Sequence, residues 1–121
     1  MRLQVLADPF TVCKLDSFEG LELKRPFWFV SCTDEEYSLV CPSAQTPSNT
    51  IACEDGWRGF RIEGVLDFNL VGILSRIASL LAENGIAIFA ISTYNTDYVF
   101  LKEESFEAAL QLLSQNGYII A

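Results

Sequence analysis

At 121 residues, half of them hydrophobic, the chain is long enough for one ordinary domain or two very small ones, and too apolar for a disordered segment. Sixteen acidic residues against eight basic ones give a formal charge of −8 with no basic run, which argues against nucleic acid and anionic membranes as partners. Histidine is absent, so neither a Ser–His nor a Cys–His pair can form within the chain.

The amino end, MRLQVLADPF, lacks the apolar core of a signal peptide, and no later span approaches the ~20 apolar residues of a membrane helix. A cytoplasmic protein is therefore expected. Apolar runs at 3–6, 10–15, 27–32 and 37–41 are separated by turn material such as Asp16-Ser17 and Thr33-Asp34-Glu35-Glu36. No helical stripe appears before residue 70, so the first half reads as strand-rich. Cys13, Cys32 and Cys41 fall within its strand-like runs, and Cys53 follows the loop PSAQTPSNT at 42–50. Their spacing does not suit zinc, and buried free thiols are expected, with neither a metal nor a cofactor. A domain boundary is placed near residue 57, dividing the chain into 1–57 and 58–121.

The second half has a clearer rhythm. FRIEGVL at 60–66 alternates like a half-buried strand. Leu70, Ile73, Leu74, Ile77, Leu80 and Leu81 share one face of a helix, with Asn69 placed to cap it and Gly85 to end it. IAIFAIST at 86–93 reads as a strand buried on both faces or nearly so, and 98–102 as its partner. A second helix starts with acids near 103–105 and closes at Asn116-Gly117, before a short last strand at 118–120. The order is β-α-β-β-α-β.

Between the two middle strands, AISTYNTDYVFL at 90–101 has the outline of a hairpin without the Asn-Gly or Asp-Gly of a tight turn. Ser92, Thr93, Tyr94, Asn95, Thr96 and Asp97 stand there instead. The missing glycine implies a turn held by side-chain hydrogen bonds.

Residues 58–120, above all LVGILSRIASLLAENGIAIFAISTYNTDYVFLKEE at 70–104, resemble an ACT domain. They are similar to small bacterial proteins that join an ACT-like first half to a C-terminal ACT domain, and to the ACT repeats of the animal cytosolic arginine sensor. FWFVSCTDEEYSLVCP at 27–42 resembles the first half of that bacterial group. The resemblance implies an α+β, ferredoxin-like βαββαβ unit preceded by a strand-rich ACT-like half, with antiparallel sheets and helices on one face. It also implies a non-catalytic regulatory sensor that binds an amino acid and pairs as a homodimer. The first β–α loop and helix start would line the site with Leu66, Asp67, Phe68, Asn69, Leu70, Val71 and Gly72. Thr93, Tyr94 and Asp97 would line it from the hairpin, with Asp97 at the position of an acid that reads the ligand side chain. Apolar Leu70 stands where the arginine sensor has an acid, so the resemblance does not extend to arginine as ligand. A ligand-free oligomerisation module is the alternative.

Elementary chemistry supports the same residues. A helix N-terminus offers unpaired N–H groups and partial positive charge to a carboxylate. Gly72 costs up to ~1 kcal/mol of helix propensity against alanine but allows close backbone approach. Asp67 or Asp97 suits an ammonium group.

Overall fold

Alternation of apolar and polar side chains puts most strands where the sequence leads one to expect them. The structure, a computed structural model, describes residues 1–121. In chain order the elements are β1 (Arg2–Val5), β2 (Phe10–Leu15), β3 (Phe29–Cys32), β4 (Tyr37–Pro42), β5 (Thr50–Ile62), α1 (Ile73–Glu83), β6 (Ile88–Ser92), β7 (Asp97–Lys102), α2 (Glu103–Gln115) and β8 (Ile119–Ile120). Two compact units result: Asp8–Trp57, and Arg58–Ala121 together with Met1–Ala7. No helix is long and apolar enough to cross a membrane.

The larger unit is α+β and ferredoxin-like from Arg58 onward. Its strands lie in the order β6-β7-β5-β1-β8. Strand β1 joins this sheet through antiparallel pairing of Leu3 with Ile62 and parallel pairing of Arg2 with Ile119. Leu3, Phe60, Ile62, Val99 and Leu101 from the strands meet Ile77, Leu81, Phe106, Ala109 and Leu113 from the helices in one buried cluster. Residues two apart on a strand share a face, so both helices cover the same side of the sheet. On the other side, the fully buried Phe100 stacks on Phe89, with ring centroids 5.0 Å apart. Gly59 leaves room for that ring: a Cβ built there would lie 2.7 Å from Phe100 Cδ1 and Cε1.

Three expectations for this unit need correction. The strand expected over 60–66 is only the end of β5, which stops at Ile62 and leaves 63–66 outside it. Helix α1 starts at Ile73 rather than near Leu70, and its cap is Gly72, at φ 83°, rather than Asn69. The reason is local: Asn69 N–H donates to Asp67 Oδ1 at 2.8 Å, and Leu70 N–H to the Asp67 carbonyl at 3.0 Å. These bonds hold 67–70 as a turn, and the left-handed glycine then swings the chain into the helix. Strand β6 is not buried on both faces. It pairs with β7 alone, as an edge strand, leaving Ile88, Phe89 and Ile91 half-buried and Ala90 exposed. An apolar run reports that a strand is hydrophobic, not how many neighbours it has.

The smaller unit orders its strands β3-β4-β2-β5. Second, third, first and fourth strands thus stand side by side, as they do in the larger unit when β1 is set aside. Irregular chain over 16–28 takes the place of a first helix, and one 3₁₀ turn, Ser43–Gln45, that of a second. Phe18, Leu21 and Trp28 of the irregular segment pack on Cys13, Leu15, Leu39 and Cys41. All four cysteines are free thiols, but only Cys13 and Cys41 are buried. Cys32, on edge strand β3, and Cys53, on β5, are exposed, which corrects the expectation of uniformly buried thiols.

Candidate functional site

The 90–101 hairpin makes its turn without glycine. Ser92 pairs with Asp97, leaving Tyr94-Asn95 as the tip between Thr93 and Thr96. Neither tip residue has a positive φ, so the mirror-image turns that best match strand twist are not used. One backbone bond and two side-chain bonds close it instead. Thr93 N–H donates to the Thr96 carbonyl at 2.9 Å, Thr93 Oγ1 donates to the same oxygen at 3.0 Å, and Ser92 Oγ donates to Asp97 Oδ1 at 2.6 Å.

Thr96 is buried, and its hydroxyl donates to the Ile62 carbonyl at 2.7 Å, anchoring the hairpin to the end of β5. Replacing Thr96 by valine keeps the volume and leaves that carbonyl without its donor. We expect a loss of about 1–2 kcal/mol in denaturant unfolding, and a cost near zero would mean the anchor is not made.

The loop after β5 reaches the hairpin from the other side. Leu66 N–H donates to the Asn95 carbonyl at 2.7 Å, and the Phe68 and Tyr94 rings meet edge to face with centroids 5.2 Å apart. Beyond Gly72, whose carbonyl accepts the first helical bond from Arg76 N–H at 2.9 Å, no side chain caps α1. Its first N–H groups therefore have no intrahelical acceptor.

Loop, helix start and hairpin enclose a cleft of about 260 Å³. Of the residues expected at a site, Leu66, Asp67, Phe68, Leu70, Gly72, Thr93, Tyr94 and Asp97 line it; Asn69 and Val71 do not. Val71 points to solvent, 88% exposed. The walls also include Ile73, Leu74, Ser75, Ser92, Asn95 and Thr96, which the sequence reading did not single out as site residues. The signal for Ser92, Asn95 and Thr96 was their place in the polar hairpin. For Ser75 it was only a position one turn into the helix. The lining holds two carboxylates, Asp67 and Asp97, and neither lysine nor arginine. A more open groove of about 680 Å³ follows the outer face of α1 past Arg76, Ser79 and Glu83 to Asn116 and Tyr118.

A model of the ACT domain matches residues 52–115, just over half of the chain. The chain belongs to the ACT domain family. Among solved structures, this ACT protein is similar to a protein from Agobacterium tumefaciens, with a TM-score of 0.85 and 27% identity over 99% of this chain and 91% of the other. A Vibrio cholerae protein of unknown function gives 0.67 and 22% identity, over 92% and 85% of the two chains. The regulatory subunit of aspartate kinase from Thermus thermophilus, in its ligand-free form, gives 0.65 and 10% identity, over 93% and 95%. At such low identity the last two similarities speak for the fold alone. No curated protein matches the chain in sequence.

Proposed function

We propose that this ACT domain protein is a non-catalytic regulator that binds an amino acid in the cleft between the 66–75 segment and the 92–97 hairpin. One observation carries the reading: an uncapped helix start lines the same small cleft as two carboxylates. The helix end suits the ligand's α-carboxylate, and Asp67 or Asp97 its α-ammonium. Membership of the ACT domain family supports a regulatory role.

Occupancy would reach a partner by population shift, the ligand favouring one arrangement of a domain or subunit interface. The apolar side chains around the cleft support a homodimer that covers it. Phe68, Val71 and Tyr94 are each more than 70% exposed, and such patches mark surfaces that bind other proteins.

The smaller unit supports one site per chain. Its Thr33–Glu36 turn, between its second and third strands, corresponds to Thr93–Thr96, and Thr33 N–H likewise donates across the turn to the Glu36 carbonyl, at 3.0 Å. There, however, Phe18 packs edge to face on Tyr37, and Asn49 Nδ2 donates to Asp16 Oδ1 at 2.6 Å. The chain's own side chains thus pack beside that turn.

Thermal-shift measurements against the proteinogenic amino acids at millimolar concentration test the proposal, followed by calorimetry of any that stabilise the fold. The expected result is stabilisation by at least one amino acid, with one ligand per chain. If none stabilises the protein, the exposed Phe68, Val71 and Tyr94 favour a second reading, a ligand-free module that only holds subunits together. That reading predicts an oligomer lost on replacing Tyr94 and Phe68 by serine, whether or not amino acids are present.

A further inference from the structure

Three thiols lie on neighbouring strands of the smaller unit, Cys41 on β4, Cys13 on β2 and Cys53 on β5, with β2 in the middle. Cys13 stands directly opposite Cys53 in the antiparallel β2–β5 pair. On the β4 side Cys13 is opposite Leu39, and Cys41 is opposite Thr11, so Cys41 is only a diagonal neighbour. Directly opposed residues have Cα atoms about 4.5–5.5 Å apart, within the roughly 4.4–6.8 Å that a disulfide spans. Diagonal neighbours are about 7–8 Å apart, too far. The register therefore singles out one pair among the three thiols.

A separate set of contacts puts the Cys53 side chain on the Cys13 face. Thr11, two residues before Cys13 and so on its face, donates to Asp55 Oδ1 at 2.6 Å. Cys53 Sγ lies 3.9 Å from that same Asp55 oxygen. Cys53 is exposed and Cys13 buried. The pair thus has one thiol open to a reagent and one directly behind it.

We propose that Cys13 and Cys53 are an oxidative modification site, which a hydroperoxide converts to a cross-strand disulfide. Cys53 Sγ attacks a peroxide oxygen and the O–O bond breaks, releasing water or an alcohol and leaving a sulfenic acid on Cys53. Cys13 Sγ then attacks that sulfur; the S–S bond forms, the S–O bond breaks, and the oxygen leaves as water with the thiol proton. Two electrons pass from the two thiols to the peroxide.

Burial pushes the Cys13 thiol up to about 11, with Cys41, Cys53 and Asp55 adding to the effect. Partial desolvation, followed by the nearby Asp55 charge, also raises the exposed Cys53 thiol. Thiolate is therefore scarce at neutral pH, and the reaction is a slow response to excess peroxide rather than a rapid peroxidase step. The link would staple a short stretch of pairing, because the β2–β5 register shifts both between Phe10 and Val12 and between Lys14 and Leu15.

The test treats the full chain with excess hydrogen peroxide, blocks remaining thiols and maps the peptides by mass spectrometry. The expected product is a Cys13–Cys53 link, lighter by two hydrogens and reversed by dithiothreitol, with a Tm raised by at least ~5 °C. The Cys41→Ser protein should form the same link and the Cys53→Ser protein none; the latter changes an exposed residue and should fold. A Cys13–Cys41 link, sulfinic acid on Cys53 beside a free Cys13, or both thiols still free after a dose that oxidises a model peptide thiol would each overturn the proposal.

Discussion

Replacing Gly59 by valine should cost roughly 3 kcal/mol or more in denaturant unfolding, about the upper end of what overpacking a core costs. The space a side chain needs there is already occupied. A Cβ at Gly59 falls 2.7 Å from two atoms of the Phe100 ring and 3.3 Å from Leu6 Cδ1. The ring cannot swing away freely, because Phe100 is fully buried and stacked on Phe89. Gly59→Ala should show the same effect in smaller measure. Phe100→Leu alone should also destabilise, by removing buried ring volume. Combined with Gly59→Ala it should cost less than the sum of the two single changes, by about 0.5–3 kcal/mol. Strict additivity would show that glycine and ring do not share that space.

Asp97→Asn is the sharpest trial of the proposed ligand site. Asparagine keeps the shape and can still accept from Ser92 Oγ, which now donates to Asp97 Oδ1 at 2.6 Å. What it removes is charge. If Asp97 holds an ammonium or another cationic group, the lost charge-assisted hydrogen bond is worth about 1.5–3 kcal/mol, or roughly 10–100-fold in affinity. Calorimetry with the amino acid that stabilises the wild-type protein measures this directly. The unliganded Tm should hardly move. Asp67→Asn serves as the comparison, since Asp67 also anchors its own loop through Asn69 N–H. Unchanged affinity in both variants would remove the carboxylates from the proposed site.

Much of the lining of the candidate cleft was legible because it is built from local signals. The hairpin held an unusual run of hydroxyls, an amide and a carboxylate in place of glycine, and its threonine and serine side chains do help close the turn. Gly72 interrupted an otherwise regular helical stripe and stands where the helix begins. Leu70 misled because it sits in the periodic register; it is 54% exposed, and the bonds to Asp67 hold it in the turn before the helix. Asn69 misled because a residue suited to capping was not needed once the backbone turned at a left-handed glycine.

The sequence by itself determined the β-α-β-β-α-β order of the second half and the apolar faces of its helices, because helical and strand periods write burial directly into residue spacing. It also carried the family resemblance that the ACT domain match bears out. Only the tertiary structure decided which elements are neighbours. It put β1 between β5 and β8, left β6 at an edge, and set Asp67 and Asp97 in the lining of one cleft. It likewise opposed Cys13 to Cys53. The physical reason is common to all four. Periodicity records that a face is covered, whereas partner and register depend on hydrogen bonds and packing between residues far apart in the chain.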